Sequence, residues 1–560
     1  GACRATACFL SLVGSGAMVL VLRPHDLRVY VTVLLCRLLS TDCWQYGMVM
    51  DAGSGGTRLH AFRWPDRLSD PLHPQYPAVT IPEELFAVRV TPGISAFAGN
   101  VTGLRPYIHM LISRAQKNLM FIRELWSIIP VYLKATAGAR DLFQDQRDLI
   151  FARLRALLYE CPFRFDTNYW ARTISGEEEG VYSWLAVNAI KGTYRTNSVE
   201  DTWGSLDIGG SSAQVAFIPH DVSIIQNYFP LHLSYLSFHL YAHSYLEFGY
   251  RDANERLVRR YLQRGSAGTK GDPVIHPCFP AGKRFRQALR EPFVVGQESI
   301  WIVGKGDFDE CMELAVSLLD LNKTCFVPGR SRRFSIDPSS AGACAIAGTY
   351  EPRLYSQKFV ATGQYSMIVQ AMGLPTDRVF PLGEMLTGAR RLCAAEPGAV
   401  ELEEVHDPPK TLNGGKFVDS KVLKDPMGMA ISRCWKAVWF WTVLHRGFRF
   451  PADSRQIIFA DTLNGRETGW ALGSMAYDVN YYPWQGAAVQ MPVRGVEVAA
   501  SEAAASSRPT ERLPAGTGYG AVTLVGVAIA CLTAGVALGV FWGRQTRARW
   551  CGADYLAMVA

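Results

Sequence analysis

The stretch DAGSGGTRLHAF, Asp51 to Phe62, has a counterpart 156 residues further on in DIGGSSAQVAFI, Asp207 to Ile218. In each, an apolar strand-like run ends in an aspartate. A glycine stands at the second position after it, small residues follow, and a second strand with alternating apolar positions begins. Taken alone, YGMVMDAGSGGTRLHAF (Tyr46–Phe62) is as good a plain hairpin as it is a binding loop. A tight hairpin needs only two such residues, while glycines also let backbone N–H groups approach a ligand. The repeat raises a more specific expectation: equivalent loops of two duplicated lobes, facing each other across a cleft.

Gly/Ser turns present several N–H donors to one point, which suits phosphate oxygens. Asp51 and Asp207 are hard oxygen ligands, suited to Mg²⁺ or Ca²⁺ directly or through water. Two such clamps would hold a polyphosphate and its metal between lobes. The chain has no G-x-x-x-x-G-K-[ST], so P-loop chemistry is unsupported. A hydrolase must also activate water. ISGEEEGVYSWLAVN, Ile174 to Asn188, puts three acids between two glycines. A solvated acidic turn would explain that run; the apolar residues after it and the flanking glycines favour a site. YLKATAGARDLF, Tyr132 to Phe143, sets Thr136 at a strand–turn–helix junction, where a hydroxyl could hold a metal-bound water. A helix start without function fits it equally well.

The chain has 560 residues, 49% hydrophobic and 19% charged, enough for two or three domains. The formal charge of +7 is spread thinly, with no long basic run, which argues against a nucleic-acid partner. From about Gln45 to Pro492, strand-like and helix-like segments interleave, the pattern of an α/β architecture. Strands are expected at Met48–Met50, Val131–Lys134 and Ile457–Phe459, and a helix over Asp141–Glu160 with Asp141 as its N-cap. Glu396–Lys424 has the composition of an exposed insertion, and 496–518 that of a flexible stalk.

Gly520–Trp542 is 23 residues without a charge, long enough to span a bilayer. Arg544, Arg547 and Arg549 follow it, so the 543–560 tail is expected on the cytoplasmic side and the body outside the cell or in an organelle lumen. Ala5–Leu22 is expected to be a second anchor or signal-anchor. The bilayer is then a partner, and pairing of membrane helices is a route to a homo-oligomer. Asn100-Val-Thr and Asn322-Lys-Thr are glycosylation sequons. The chain has 13 cysteines and no C-x-x-C; in an oxidising compartment, disulfides are expected.

Together these motifs resemble the nucleoside triphosphate diphosphohydrolases, the membrane apyrase family. Five short motifs stand in the family's order: DAGSGGT, ATAGAR, SGEEEG, LDIGGSSAQ and TGWALGSM (Thr468–Met475). The likeness covers roughly Gln45–Pro483. TPGISAFA, HPCFPAG, GKGDFDEC and CWKAVWFWTVLHRGFRFP are more similar to the organelle-lumen branch, which implies two anchors, a Golgi or lysosomal/vacuolar membrane, and substrates such as UDP.

The resemblance implies an actin-like fold of two RNase-H-like lobes with the active site between them. Lobe I is expected over 45–175, lobe II over 176–455, and a return segment completing lobe I over 456–492. It implies stepwise hydrolysis of nucleoside tri- and diphosphates with Ca²⁺ or Mg²⁺. By motif, Asp51 and Asp207 position the metal through waters, with Thr136 and Trp470 supporting its water shell. Ser54, Gly55 and Thr57, with Gly209, Gly210, Ser211, Ser212 and Gln214, cradle phosphates, and Glu179 is the base. Arg251 and Tyr365 are candidates for contact with the nucleotide base. By order in the chain, the implied bridges are Cys278–Cys311, Cys325–Cys344 and Cys393–Cys434, leaving Cys36, Cys43 and Cys161 without assigned partners. Gly55-Gly56 departs from the bulkier polar residues of cell-surface relatives, which puts the shape of the phosphate grip in doubt. One rival reading is a non-catalytic nucleotide-binding membrane receptor on the same scaffold, against which Glu179 argues. Another is a cytosolic kinase or chaperone-type ATPase of the actin-like superfamily, which the membrane segment, sequons and cysteines oppose.

Overall fold

Two sheets with the same strand order organise the molecule. The structure, a computed structural model, describes residues 10–13, 17–20, 44–196, 198–266, 268–289, 299–323, 325, 344–354, 356–395 and 431–481. In the first lobe, β1 (Trp44–Gly53), β2 (Gly56–Pro65) and β3 (Glu83–Val90) form an antiparallel meander. Helix α1 (Leu104–Asn118) then leads to β4 (Val131–Ala135), and α2 (Gln144–Tyr159) leads to β5 (Ala171–Thr173). Both strands add in parallel, giving the order β3-β2-β1-β4-β5.

Helix α3 (Gly176–Lys191) opens the second half. There β6 (Gly204–Ile208), β7 (Ser212–Phe217), β8 (Tyr228–Leu233) and β9 (Leu236–Leu246) are antiparallel, and α4 (Tyr250–Gln263) follows. Next come β10 (Phe359–Gly363), α5 (Gln364–Ala371), α6 (Arg433–Thr442) and β11 (Ile457–Phe459). The order is β8-β9-β7-β6-β10-β11, with β10 and β11 parallel to β6. Apart from the added β8, this repeats the first sheet strand for strand. The expected duplication and α/β actin-like architecture are therefore present. A small three-stranded sheet (Val274–His276, Arg284–Ala288, Ser299–Gly304) is attached to the second lobe.

The elements form for ordinary reasons. In α1, the buried residues Leu104, Tyr107, Ile108, Leu111, Ile112 and Ala115 fall on one helical stripe. The central strand β1 is buried on both faces, so Met48, Val49 and Met50 are a continuous apolar run. Helix α3 has no polar side because it is enclosed by both lobes. Val181, Trp184 and Leu185 pack with Ala216, Phe238 and Leu240 of the second sheet, while Tyr182, Ala186 and Ile190 join the first core. A capping box starts it: the Ser175 hydroxyl accepts from Glu178 N–H, and the Glu178 carboxylate accepts from Ser175 N–H.

Residues 456–492, expected as a unit returning to lobe I, are divided. Strand β11 stays in the second sheet beside β10. The small hairpin of Thr462–Leu463 with Arg466–Glu467 and the helix α7 (Trp470–Tyr481) reach the first core, the hairpin through Leu463 and α7 through Trp470, Leu472, Met475 and Val479. The parallel pairing takes β11 because it supplies the fifth strand that the duplicated sheet requires. Residues from 482 onward lie outside the described set. The helix expected over Asp141–Glu160 begins instead at Gln144, after Phe143. Asp141 closes the preceding helical turn, Ala137–Arg140, with its N–H bonded to Ala137 O.

The three expected disulfides are present, at Cys278–Cys311, Cys325–Cys344 and Cys393–Cys434. Cys161 is a free, half-buried thiol; Cys36 and Cys43 lie outside the described residues. Asn100 and Asn322 are both exposed. Within the expected N-terminal anchor, 5–22, the described pieces are two short antiparallel strands, Leu10–Val13 and Ala17–Leu20, rather than a helix. Gly14 and Gly16 interrupt that apolar run, and glycine disfavours a continuous helix. No helix among the described residues is long and apolar enough to cross a membrane. The 396–424 insertion, the stalk, Gly520–Trp542 and the tail all lie outside the described residues.

Candidate active site

The two aspartate-ended hairpins meet between the lobes. In the first, Gly53 pairs with Gly56, so Ser54 and Gly55 form a two-residue turn. Hairpin and candidate binding loop are thus one feature, because the hairpin tip points at the other lobe. In the second, a Cβ placed on Gly210 would lie 3.0 Å from Ser54 Oγ and 3.1 Å from Arg251 Nη2. That close approach brings Ser54, Gly210 and Arg251 to one place.

The second loop is held from behind by α4. Tyr250 N–H donates to Gly209 O at 3.1 Å, while Arg251 and Asp252 N–H donate to Gly210 O at 3.0 and 3.1 Å. A trans peptide points its N–H opposite its C=O. Tying these carbonyls to the amino end of α4 therefore turns the N–H groups of Gly210 and Ser211 away from that helix. Ser211 Oγ donates to Asp252 Oδ1 at 3.2 Å and accepts from Arg251 Nη2 at 3.3 Å.

Asp207 is opposite Gln214 in the hairpin and beside Thr362 in the parallel pair. The Thr362 hydroxyl donates to its Oδ1 at 3.3 Å. Gly363 sits at φ +65°, and a Cβ there would come 2.7 Å from that oxygen. Asp51, buried, is opposite Arg58, whose Nη1 is 3.7 Å from Oδ2. Burial pushes the Asp207 carboxyl up to about 6; the Thr362 hydrogen bond opposes this and the Asp51 charge adds to it. Burial also raises Asp51, against the pull of Arg58, His60 and Arg89. Two carboxylates close enough to repel, with hard oxygen donors, fit a divalent cation between them.

Glu179 lies deeper, in the first turn of α3. Arg140 Nη2 donates to its Oε2 at 2.6 Å. The Gln214 amide Nε2 is 3.1 Å from the same oxygen, 2.6 Å from Ser212 Oγ and 3.1 Å from Ser244 Oγ. Burial pushes the Glu179 carboxyl up to about 7; Arg140 pulls against this, and Asp207 and Asp51 push with it. The neighbouring acids are otherwise engaged. Glu178 closes the capping box and pairs with Arg172, whose Nη1 is 2.8 Å from its Oε2. Glu177 faces His243, 3.7 Å away. Of the three glutamates in the run, Glu179 is the one aimed into the cleft.

The structure places the other expected site residues as follows. Thr57 is fully buried inside β2, not at the turn, and its N–H donates to the Tyr107 hydroxyl at 3.1 Å. That donor is unavailable to phosphate. Tyr365 is also fully buried, its ring 5.0 Å from Phe440 and 6.3 Å from Phe459. The ring belongs to the second core, and its buried hydroxyl has no hydrogen-bond partner among the described residues. Arg251 lies at the two hairpin turns, beside Ser54 and Gly210. Thr136 is buried as the N-cap of the Ala137–Arg140 turn, with its N–H bonded to Ala52 O. Trp470 opens α7 in the first core, 6.4 Å from the Tyr182 ring.

Sequence reasoning missed Arg140, Ser244 and Thr362. Arg140 carried a signal, being the one cation in ATAGAR, a motif otherwise made of small residues. Its Nε and Nη1 are buried without a hydrogen-bond partner, so it has donors to spare for an oxyanion.

The chain is similar to known proteins. Ectonucleoside triphosphate diphosphohydrolase 1 of Bos taurus is 28% identical over 470 residues, covering 78% of this chain and 82% of that protein. Probable apyrase 4 of Arabidopsis thaliana is 27% identical over 440 residues, covering 77% and 78%. A nucleoside triphosphate hydrolase structure from Neospora caninum matches with a TM-score of 0.54 over 81% of this chain and 97% of that one. At 17% identity, that likeness bears on the fold alone. The model of the GDA1/CD39 (nucleoside phosphatase) family matches residues 38–495; the chain belongs to that family and is a hydrolase.

Proposed function

We propose that this chain hydrolyses nucleoside tri- and diphosphates, UDP among them, with Glu179 as general base. The observation that supports this most directly is the buried cluster of Glu179, Gln214, Ser212 and Arg140 behind the two phosphate-loop hairpins. A water held between Glu179 Oε2, the Gln214 amide and Ser212 Oγ would attack the terminal phosphorus. Its proton passes to Glu179, the bridging P–O bond breaks, and the electron pair leaves with the shortened nucleotide. Gln214 and Ser212 aim the water. The N–H groups of Gly210 and Ser211, together with Ser54 and the spare donors of Arg140, hold phosphate oxygens. Asp51 and Asp207 would hold Ca²⁺ or Mg²⁺, which when bound neutralises phosphate charge; Thr136 and Trp470 would stand near its waters.

The charge-free run at Gly520–Trp542 and the arginines after it support attachment to a membrane with the body on the luminal or external face. The exposed sequon asparagines support the same side. A Golgi or lysosomal/vacuolar site and pairing through membrane helices rest on the resemblance to the organelle-lumen branch and on that apolar segment. Phosphate release from a panel of nucleoside di- and triphosphates, with and without chelator, tests the reading. Release from UDP and ATP that stops with chelator and returns with Ca²⁺ or Mg²⁺ is expected. Release unaffected by chelator, or absent for every nucleotide, overturns it.

A further inference from the structure

Outside the cluster around Glu179, three ligand-type side chains converge from distant parts of the chain. His60 lies in β2, Glu84 near the start of β3, and Glu467 at the end of a small hairpin, Thr462–Leu463 paired with Arg466–Glu467. One ligating atom from each lies within 4.8 Å of the other two. His60 is buried, Glu84 half-buried and Glu467 exposed.

The local structure explains the convergence. Strands β2 and β3 pair His60 with Ala87, then slip between Ala61 and Phe62, so that Phe62 pairs with Glu84. Such an irregularity re-aims a side chain, and His60 Nδ1 ends 2.6 Å from Glu84 Oε1. Two tethers fix the small hairpin: Arg466 Nη2 donates to Pro82 O at 2.6 Å, and Asn464 Nδ2 donates to Ile190 O at 3.3 Å. Glu467 is thereby delivered to a position already occupied by an acid and an imidazole. One hydrogen bond satisfies His60 and Glu84 as a pair. It does not account for a second carboxylate, whose charge repels the first. A cation among the three removes that repulsion.

We propose that His60, Glu84 and Glu467 form a second divalent-metal site, of the zinc type, which latches the 462–467 hairpin to the first sheet. One imidazole and two carboxylates suit Zn²⁺ and the similar ions Co²⁺ and Mn²⁺. Ca²⁺ prefers six to eight oxygens and Mg²⁺ a near-ideal octahedral shell, so neither competes well here. Three protein ligands leave a fourth position for water on the exposed side of Glu467. The hairpin runs directly into Thr468 and α7, so the latch fixes where the last motif enters the first lobe.

The test is calorimetric titration of Zn²⁺ into metal-stripped protein, without nucleotide, in excess Mg²⁺. One equivalent of Zn²⁺ is expected to bind. Because loss of even an outer hydrogen-bond partner of a ligand costs about 10–100-fold in affinity, His60→Gln and Glu467→Gln should each weaken binding at least about tenfold. Co²⁺ should give a visible absorption spectrum in the parent that both variants lose. Zn²⁺ should raise the Tm of the parent but not of Glu467→Gln, an exposed change that tests the site without disturbing the core. Absence of stoichiometric Zn²⁺ uptake, or binding by both variants equal to the parent, overturns the proposal. None of these readouts depends on hydrolysis, so this site and the nucleotide reading fail separately.

Discussion

In the first hairpin Asp51 lies opposite Arg58, and in the second Asp207 lies opposite Gln214. The backbones are equivalent and the sheets behind them have the same order. The side chains that follow have diverged. Around Asp51 the partners are cations, with Arg58 and Arg89 directly opposed across β2 and β3. Like charges facing one another are unfavourable unless an anion lies near. Around Asp207 the hydrogen-bonding neighbours are neutral: Thr362, which donates to it, and Gln214 opposite, which leads on to Ser212 and Glu179. Duplication thus supplies two matching frames, while the chemistry divides. On our reading, both hairpin turns hold phosphate, the first lobe adds cations beside it, and the second handles the water.

The largest expected effect removes the base from the second lobe's side. Glu179→Gln should lower kcat by about 10²–10⁴-fold, the usual worth of general-base assistance. Nucleotide binding should persist. Glu177→Gln, on the side facing His243, should change kcat only slightly. Steady-state kinetics of the two variants side by side, with nucleotide binding measured by calorimetry, decides the matter; equal losses would mean the run acts as a field rather than through one member.

The division of labour itself is tested by a pair from the two hairpins. Gln214→Ala removes a donor that aims the water, and a fall in kcat of about 10²-fold is expected, in the range for one preorganised donor. Arg58→Ala should act mainly on KM, because it removes charge from a half-exposed position. The comparison breaks if Gln214→Ala raises KM alone, or if Arg58→Ala lowers kcat as strongly.

Protonation gives a third handle. The folded carboxyl of Glu179 titrates near 7, above its ordinary 4.5. In the folded chain it holds its proton more tightly than in the unfolded chain. Its contribution to stability is therefore fully present below about pH 4.5 and is lost as pH rises through about 7. At about 1.4 kcal/mol per pKa unit the loss is on the order of 3 kcal/mol. Tm measured from pH 5 to 8 in chelator should fall, and should fall less for Glu179→Gln. In the parent with its cation, which offsets the Asp51 and Asp207 charges, kcat/KM should rise with pH as the base ionises. A Tm profile unchanged by the substitution would remove Glu179 from this account.

The smallest effect lies behind the first hairpin. The Tyr107 hydroxyl accepts from Thr57 N–H and donates to Pro92 O at 2.7 Å. Tyr107→Phe leaves that buried N–H without a partner, at a cost of about 1–3 kcal/mol. Denaturant unfolding should register the loss, with kcat nearly unchanged. A large fall in kcat would mean that Thr57 N–H belongs to the phosphate grip after all.

Much of the fold and of the site is legible in the sequence. The repeated Asp-Gly pattern reports duplicated hairpins because a strand end, a tight turn and an alternating strand each leave a local mark. The outlines of β1, β4 and β11 are legible in the same way, and the three disulfides through resemblance. The motif singles out Glu179 among the three acids, and in the structure Glu178 is engaged by the cap and Arg172 while Glu179 bonds Arg140 and Gln214.

Local rules encode two aspartate-ended turns, their small residues, and an acidic run at a helix start, and these stand in the amino-acid order itself. Which groups the turns meet is a matter of tertiary packing alone. Arg140 reaches Glu179 across 39 residues, and Thr362 reaches Asp207 across 155. The Thr57 N–H is consumed by a tyrosine 50 residues away, and Tyr365 is drawn into the core by Phe440 and Phe459. Long-range pairing and burial carry no local periodicity, so a motif can name a residue without saying which neighbour will claim its donor, its charge or its surface.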